Sequence, residues 1–339
     1  MMHHPQKLVR WDTEVDLGEM KFVKNVFIVG GTHGNERGGV HLAKAFNLLA
    51  TWPNLSIQGV VANERAVVQN TRYVDEDLNR CFTLKRLEAK PTTTYESQRA
   101  LELNALLGPK SLEPSTSAAR ADFIFDLHNS TSNTGMMLCL HRNDLLAREV
   151  AAHLQTLDPQ IKIVHWSKEL GDDQPFLPTM GKSGMTVELG SVCHGTTNLI
   201  AMERVKLLLD RGLAYLNRRA GLTAQELENQ LQVKRISIGE RLAQVDFPRN
   251  PVTGDAAAFI HSKLQGMEEL GSEGFLIEGQ TLFAQLDGTP VIKFDSSNYP
   301  KASNNRLYPV FVNEAAYFEK QTAFFLYELI EGMEVRVLV

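Results

Sequence analysis

Residues 26–40 read VFIVGGTHGNERGGV. The first four are apolar and mostly β-branched, which suits a buried strand. Gly30-Gly31 stops that strand at a turn. Beyond it Val40, Ala43, Phe46 and Leu49 recur at a near-helical period, so residues 38–49 are predicted to be a helix. The alternation continues downstream. Strands are predicted over 57–62, 123–127, 136–140, 161–165 and 185–189. Helices are predicted over 96–107, 144–157 and 202–219, the first ended by Gly108-Pro109 and the last closed by Gly221. Strands and helices alternating over some 220 residues point to an α/β layered sheet. The Ser/Thr/Pro-rich stretch 111–119 reads as a loop.

From about Val233 the text changes to short strand-like segments punctuated by Gly and Pro: 235–238, 257–261, 275–277, 281–286 and 290–294. That pattern predicts a second, β-rich domain, with the boundary between Gly221 and Val233. A chain of 339 residues accommodates two domains and needs no disulfide staples.

Composition narrows the function. The hydrophobic fraction of 43% and charged fraction of 22% are those of a soluble globular protein. The net charge is −5 and no Lys/Arg cluster stands out, which argues against nucleic acid as the partner. No apolar run approaches the roughly 18 residues a membrane span needs. The stretch Met1–Val15 lacks the apolar core of a secretory signal. Three cysteines, Cys81, Cys139 and Cys193, form no C-x-x-C pair, so a reducing, cytoplasmic setting is expected.

Four stretches carry chemistry. In the first, His33 and Glu36 are two residues apart at the mouth of the predicted helix, where an imidazole and a carboxylate can reach one cation. A Gly-rich turn with a surface His and Glu is the bland alternative. The second is Phe125-Asp126-Leu127-His128-Asn129, where a buried strand ends in polar residues. Ligand sites gather at such carboxyl ends. His128 is placed to be a third ligand, and Asp126, two residues earlier on the same side, could orient a ligand from behind. The third is Val187-Glu188-Leu189-Gly190, where a carboxylate interrupts an apolar strand as a general base beside a metal would. An edge strand with Glu188 facing solvent is the alternative. The fourth is Thr71-Arg72-Tyr73-Val74-Asp75-Glu76-Asp77-Leu78-Asn79-Arg80, whose arginines could hold carboxylates or an oxyanion. A solvated charged loop is the alternative there.

Taken together, GGTHGNE at 30–36, TRYVDEDLNR at 71–80, FDLHNSTSN at 125–133 and VELG at 187–190 resemble the aspartoacylase and aminoacylase-3 group of the zinc-carboxypeptidase-like superfamily. VDFPR at 245–249 and YPVFVNEAAYFEK at 308–320 extend the resemblance nearly end to end. It implies a zinc-carboxypeptidase-like layered α/β/α catalytic domain with a mixed sheet, residues 1–222. A smaller β-rich domain, residues 223–339, would narrow the entrance. It implies one zinc per chain on His33, Glu36 and His128, with Glu188 as general base and Arg72 at the oxyanion. Asn79, Arg80, Asn129 and Tyr317 would bind substrate, with Asp77 supporting from behind. The expected partner is a small N-acyl amino acid, N-acetylaspartate first and neutral or aromatic residues second; a homo-oligomer is compatible with it. A metallocarboxypeptidase and a non-catalytic zinc-binding protein are the rival readings.

The sequence departs from aspartoacylases in one respect. They carry an arginine some ten residues before the catalytic glutamate, and it binds the aspartate side chain. Here that neighbourhood reads Pro175-Phe176-Leu177-Pro178-Thr179-Met180-Gly181-Lys182. Lys182 or Lys168 could stand in as a point charge; otherwise the pocket beside Phe176 and Leu177 would favour apolar side chains. His194 reads as a loop residue. His41, His141, His153, His165 and His261 are expected to carry no function.

Overall fold

The computed structural model describes residues 23–46, 52–89, 93–112, 118–166, 173–267, 274–300, 302–304, 306–318 and 320–339. Met1–Val15, Lys168 and the predicted end of the first helix lie outside them, as does most of the 111–119 stretch. The strands are β1 (Asn25–Gly30), β2 (Ser56–Val61), β3 (Phe123–Asn129), β4 (Gly135–Leu140), β5 (Lys162–His165), β6 (Ser183–Gly190), β7 (Leu231–Asp246), β8 (Phe259–Ile260), β9 (Thr281–Ala284), β10 (Pro290–Lys293), β11 (Leu307–Val310) and β12 (Thr322–Leu338). The helices are α1 (Arg37–Phe46), α2 (Glu64–Gln69), α3 (Leu84–Glu88), α4 (Tyr95–Leu107), α5 (Leu145–Leu157), α6 (Leu199–Ala220), α7 (Ala224–Gln230), α8 (Ser262–Met267) and α9 (Ala315–Phe318). No helix among the described residues is long and apolar enough to cross a membrane.

Nine strands form one mixed sheet in the order β11-β12-β7-β5-β4-β6-β3-β1-β2. The run β2-β1-β3-β6 is parallel, and β4 turns against β6. Strand β3 shows why this chemistry builds a sheet. All seven of its residues are buried. Phe123, Phe125 and Leu127 join the core under α1, α5 and α6, while Ile124 joins the core with Phe27, Val29 and residues of α4. Helices therefore cover both faces, and a strand hydrophobic on both sides is the expected occupant. On that second face Asp126 and His128 break the apolar pattern.

Beyond residue 230 the structure differs in detail from the sequence expectation. The predicted segment 235–238 is part of the sixteen-residue β7, which pairs along its length with the seventeen-residue β12. Both belong to the large sheet, which thus crosses the 222/223 division. A separate three-stranded sheet holds β10, β9 and β8. Residues 275–277 are not a strand: Leu276 is buried with its N–H on the Leu307 carbonyl, while Ile277 is exposed. An apolar triplet with one buried member is a loop anchored at a point.

The turn after β1 depends on two glycines. Gly31 has φ +70°, a region that favours glycine. Gly30 packs so closely on α1 that a Cβ there would sit 2.0 Å from the Gly39 carbonyl oxygen. Gly38, one residue away, would meet only the Met202 side chain at 3.4 Å. Gly30→Ala should therefore lower stability by roughly 1–3 kcal/mol through forced displacement of α1. Gly38→Ala should be near neutral. Thermal melts of the two variants check the contrast, and equal melting points would refute it.

Candidate active site

The site lies at the carboxyl ends of β1, β3 and β6, where a doubly connected sheet opens a crevice. His33 and Glu36 occupy the turn between β1 and α1, closed by a Glu36 N–H to His33 carbonyl bond of 3.1 Å. His128 lies near the end of β3, in register with Glu188 on β6. Two residues of sequence separation and one strand spacing thus bring three distant stretches to one point.

His33 Nδ1 is 2.8 Å from Glu36 Oε1, and His128 Nδ1 is 2.8 Å from Glu36 Oε2. The two Nδ1 atoms are 3.1 Å apart. All three side chains are buried, and their ligand atoms lie within 4.8 Å of one another. The far sides of both rings are held: His33 Nε2 is 3.1 Å from Asp77 Oδ1, and His128 Nε2 is 2.8 Å from Asp126 Oδ2. A ring nitrogen anchored on a carboxylate leaves its opposite nitrogen aimed at a cation. The group could hold a metal ion.

Burial opposes charge on Glu36, yet His33 and His128 hold its carboxyl well below the usual range. Asp77 is held low in the same way by His33 and Arg72, against its burial. Burial likewise opposes protonation of His128, but Asp126 and Glu36 raise it well above an ordinary imidazole. Arg72 sits 3.2 Å from Asp77 and 3.5 Å from Glu36, and these carboxylates keep its guanidinium charged despite burial. Glu188 is half-buried and makes no side-chain hydrogen bond among the described residues. Burial pushes its carboxyl up to about 8, with His128 opposing.

His33, Glu36, Arg72, His128 and Glu188 line an open cavity together with Asn79, Arg80, Asn129 and Tyr317. The Asn79 amide nitrogen is 3.4 Å from His128 Nε2, and its oxygen accepts from the Leu177 N–H. Arg80 makes no ion pair among the described residues and lies over the Phe176 ring. Asn129 donates its backbone N–H to Glu36 and its side-chain amide to the Val192 carbonyl. Tyr317, on α9, reaches the cavity from the opposite end of the chain. The nine residues expected as metal ligands, catalytic groups or substrate contacts all line this cavity, with Asp77 and Asp126 behind the two imidazoles.

Two cavity residues were not foreseen. His141, expected to be inert, is buried in the lining, stacked on Phe176 with Nε2 2.8 Å from the Thr186 hydroxyl. Burial and nearby positive groups keep it well below an ordinary imidazole. Glu314 stood unremarked within the quoted NEAAY text. It accepts from Ser130 Oγ, Thr131 N and Oγ1, Ser132 N and Ala316 N, and lies 3.7 Å from His194. It ties the loop after β3 to the helix carrying Tyr317. Its only sequence signal is a glutamate in an otherwise uncharged N-E-A-A-Y run. The rest of the lining combines the aromatic rings of Trp166, Phe176 and Phe311 with the small side chains of Ser130, Cys139, Thr186 and Ala316. Lys182 faces away, paired with Asp122 at 2.8 Å.

Residues 23–216 match the profile of the succinylglutamate desuccinylase/aspartoacylase catalytic domain. The chain belongs to this family. A "probable aspartoacylase" of Acaryochloris marina is 31% identical over 89% of this chain and 94% of its own length. The human N-acyl-aromatic-L-amino acid amidohydrolase (carboxylate-forming) is 33% identical, covering 89% of each chain. The crystal structure of murine aminoacylase 3 superposes with a TM-score of 0.78 at 33% identity, over 94% of this chain and 99% of that one. An enzyme acting by hydrolysis on N-acyl amino acids is the common denominator of these family members.

Glu314→Ala would strip a buried acceptor from three backbone N–H groups and two hydroxyls. A loss of about 3 kcal/mol is expected, measurable by urea unfolding. Metal content of the folded variant should stay unchanged, because Glu314 bonds neither imidazole nor Glu36.

Proposed function

We propose that the protein is a zinc-dependent amidohydrolase that deacylates N-acyl amino acids, with neutral and aromatic side chains favoured over aspartate. The observation that carries this is the buried meeting of His33 Nδ1, His128 Nδ1 and Glu36 beside the unpaired carboxylate of Glu188. Two imidazoles and a carboxylate suit zinc, and three protein ligands leave a position open for chemistry. The anchoring carboxylates Asp77 and Asp126 fit the same reading. Zinc there would supply Lewis acidity toward an acyl carbonyl and a lowered pKa for a water.

The chain's own residues supply the rest. Glu188 takes a proton from the attacking water and passes it to the leaving amine. With zinc held by His33, Glu36 and His128, the Glu188 carboxyl would lie below the value of about 8 that burial imposes. Arg72, held between Asp77 and Glu36, presents its remaining N–H groups to the developing oxyanion. Arg80 offers its fork to the substrate carboxylate, with Asn79, Asn129 and Tyr317 around it.

The side-chain pocket is walled by Trp166, Phe176, Phe311 and a neutral His141. Lys182 is committed to Asp122, and Arg142 to the carbonyls of Thr179, Gly181 and Lys182. A second substrate carboxylate would be buried against aromatic rings, which is costly. N-acetylaspartate, the first expectation from resemblance, is therefore ranked second. We read residues 1–222 as a zinc-carboxypeptidase-like catalytic domain and 223–339 as the part that narrows its entrance. Phe311, Glu314, Ala316 and Tyr317 on the cavity support that reading and disfavour a carboxypeptidase acting on long peptides. Free Cys81, Cys139 and Cys193 suit a reducing, cytoplasmic setting.

The metal-free protein should bind one zinc at neutral pH with net proton release, from His128 and in addition from Glu188. The sign follows from His128, which is raised above 6.5 and so is protonated before the metal arrives. Calorimetry in buffers of different ionisation heat measures it; binding without proton release would contradict it.

Glu188→Gln should retain zinc and lose on the order of 10²–10⁴ in kcat. His128→Ala should lose zinc as well. In the intact enzyme kcat/KM should fall as pH drops through the pKa of Glu188, because only the ionised form accepts a proton. N-acetylphenylalanine should exceed N-acetylaspartate in kcat/KM by at least about tenfold; the reverse order would show a cationic partner for aspartate in the pocket.

A further inference from the structure

We infer that Lys110 is a positioning residue for substrate-carboxylate recognition. Its ammonium fixes the separation between the loop that carries Arg80 and the wall that carries Phe176. The inference rests on the proposed role of Arg80.

Lys110 follows α4, is only 6% exposed, and does not line the cavity. A buried lysine is unusual without strong partners. Its ammonium has three N–H donors, and three acceptors surround it. They are the Phe82 carbonyl at 2.7 Å, the Gln174 carbonyl, and Asp173 Oδ1 at 3.2 Å. Phe82 comes two residues after Arg80, and Gln174 two residues before Phe176. Asp173 Oδ1 also accepts from the Leu84 N–H at 2.7 Å, a second tie between the same two segments. Burial pulls the ammonium down to about 8 against the attraction of Asp173, so the charge is kept here at a cost.

The joined segments hold the two walls of the proposed carboxylate site. Asn79 accepts from Leu177 N–H at 3.0 Å on the cavity side, and Arg80 rests 5.4 Å above the Phe176 ring. Arg80 makes no ion pair that would fix it by itself among the described residues. Its position over Phe176 depends on how the two backbones are spaced, and Lys110 bonds both from behind. A guanidinium displaced by a fraction of an ångström loses bidentate geometry toward a carboxylate. The proposed zinc ligands, in the β1–α1 turn and on β3, are not joined by this clamp.

The test uses zinc-loaded full-length protein and the best N-acetyl amino acid of a hydrolysis panel, with its carboxamide as a second substrate. Lys110→Met keeps the length of the stem and removes all three donors. It should raise KM for the acid about tenfold, with kcat within about threefold and zinc content unchanged. The preference for acid over carboxamide should fall toward that of Arg80→Ala, and Lys110→Arg should restore part of it. An equal fall in kcat on both substrates, or an unchanged KM and preference in a folded Lys110→Met protein, would overturn the inference. If Lys110→Met does not fold, Asp173→Asn decides. That residue is a third exposed, and its loss should raise KM for the acid alone; an unchanged KM overturns the inference. An Arg80→Ala enzyme that keeps the wild-type acid preference would instead overturn the Arg80 role itself.

Discussion

Buried negative charge is the constraint around which the molecule is organised. Glu36, Asp77 and Asp126 are each less than one-tenth exposed, and Glu188 and Glu314 open onto the same cavity. Carboxylates taken out of water need cationic partners or donors close by. Asp77 is answered by His33 and Arg72, Asp126 by His128 and the Thr32 hydroxyl, and Glu314 by a ring of N–H and O–H groups. What remains is Glu36 between two imidazole Nδ1 atoms, with Glu188 nearby. An arrangement that concentrates acceptors on one point is stable with a cation at that point, and the donor set matches a borderline-soft one.

The sheet explains how residues so far apart in sequence reach that point. Strands β1, β3 and β6 are adjacent and parallel, so their carboxyl ends lie side by side. Each exit contributes a different group: a turn bearing His33 and Glu36, a strand end bearing His128, and a strand bearing Glu188. The fourth contribution comes through the Arg72 carbonyl, which accepts the Gly34 N–H at 3.1 Å and so fastens the arginine loop to the turn bearing His33 and Glu36. A Cβ on Gly34 would lie 2.1 Å from the Ala66 backbone, which shows how closely the same turn passes α2.

Local sequence carried this part of the structure well. Strand β3 announces itself because its alternation places Asp126 and His128 on one face of an otherwise apolar run. Glu188 stands out for the same reason. The features that escaped detection are those whose partners lie far away. Glu314 bonds a loop 182–184 residues earlier, and nothing in its neighbourhood hints at that loop. His141 is set among Thr186 and Phe176, which come from another strand and a short 3-10 turn's edge. Strand β12 is broken into shorter apolar pieces by Glu328, Glu331 and Gly332, so its full length is defined only by its pairing with β7. Residues 275–277 failed in the other direction, since hydrophobicity marked an anchor point and not a ladder.

The same distinction separates reaction type from selectivity. The groups proposed for bond cleavage belong to loops and strand ends with signature spacing, each legible within ten residues. The pocket wall instead assembles Trp166 and Phe176 from the first two-thirds of the chain with Phe311 and Tyr317 from the last tenth. Trp166 meets Phe176, Phe311 and Phe325 edge to face at 5.5–5.7 Å, and Phe311 and Tyr317 pack at 5.9 Å. Such aromatic contacts are orientation-dependent but tolerant of exchange among apolar residues. Substitutions there can reshape the side-chain pocket while leaving the imidazole and carboxylate cluster in place. Glu314 limits that freedom, because it holds the Tyr317 helix against the loop that follows His128. A change in the wall that moved α9 would be transmitted through Glu314 to Ser130 and Asn129, and from the Asn129 N–H to Glu36 itself. Selectivity can therefore drift along the aromatic wall, but only within the range that this tether permits.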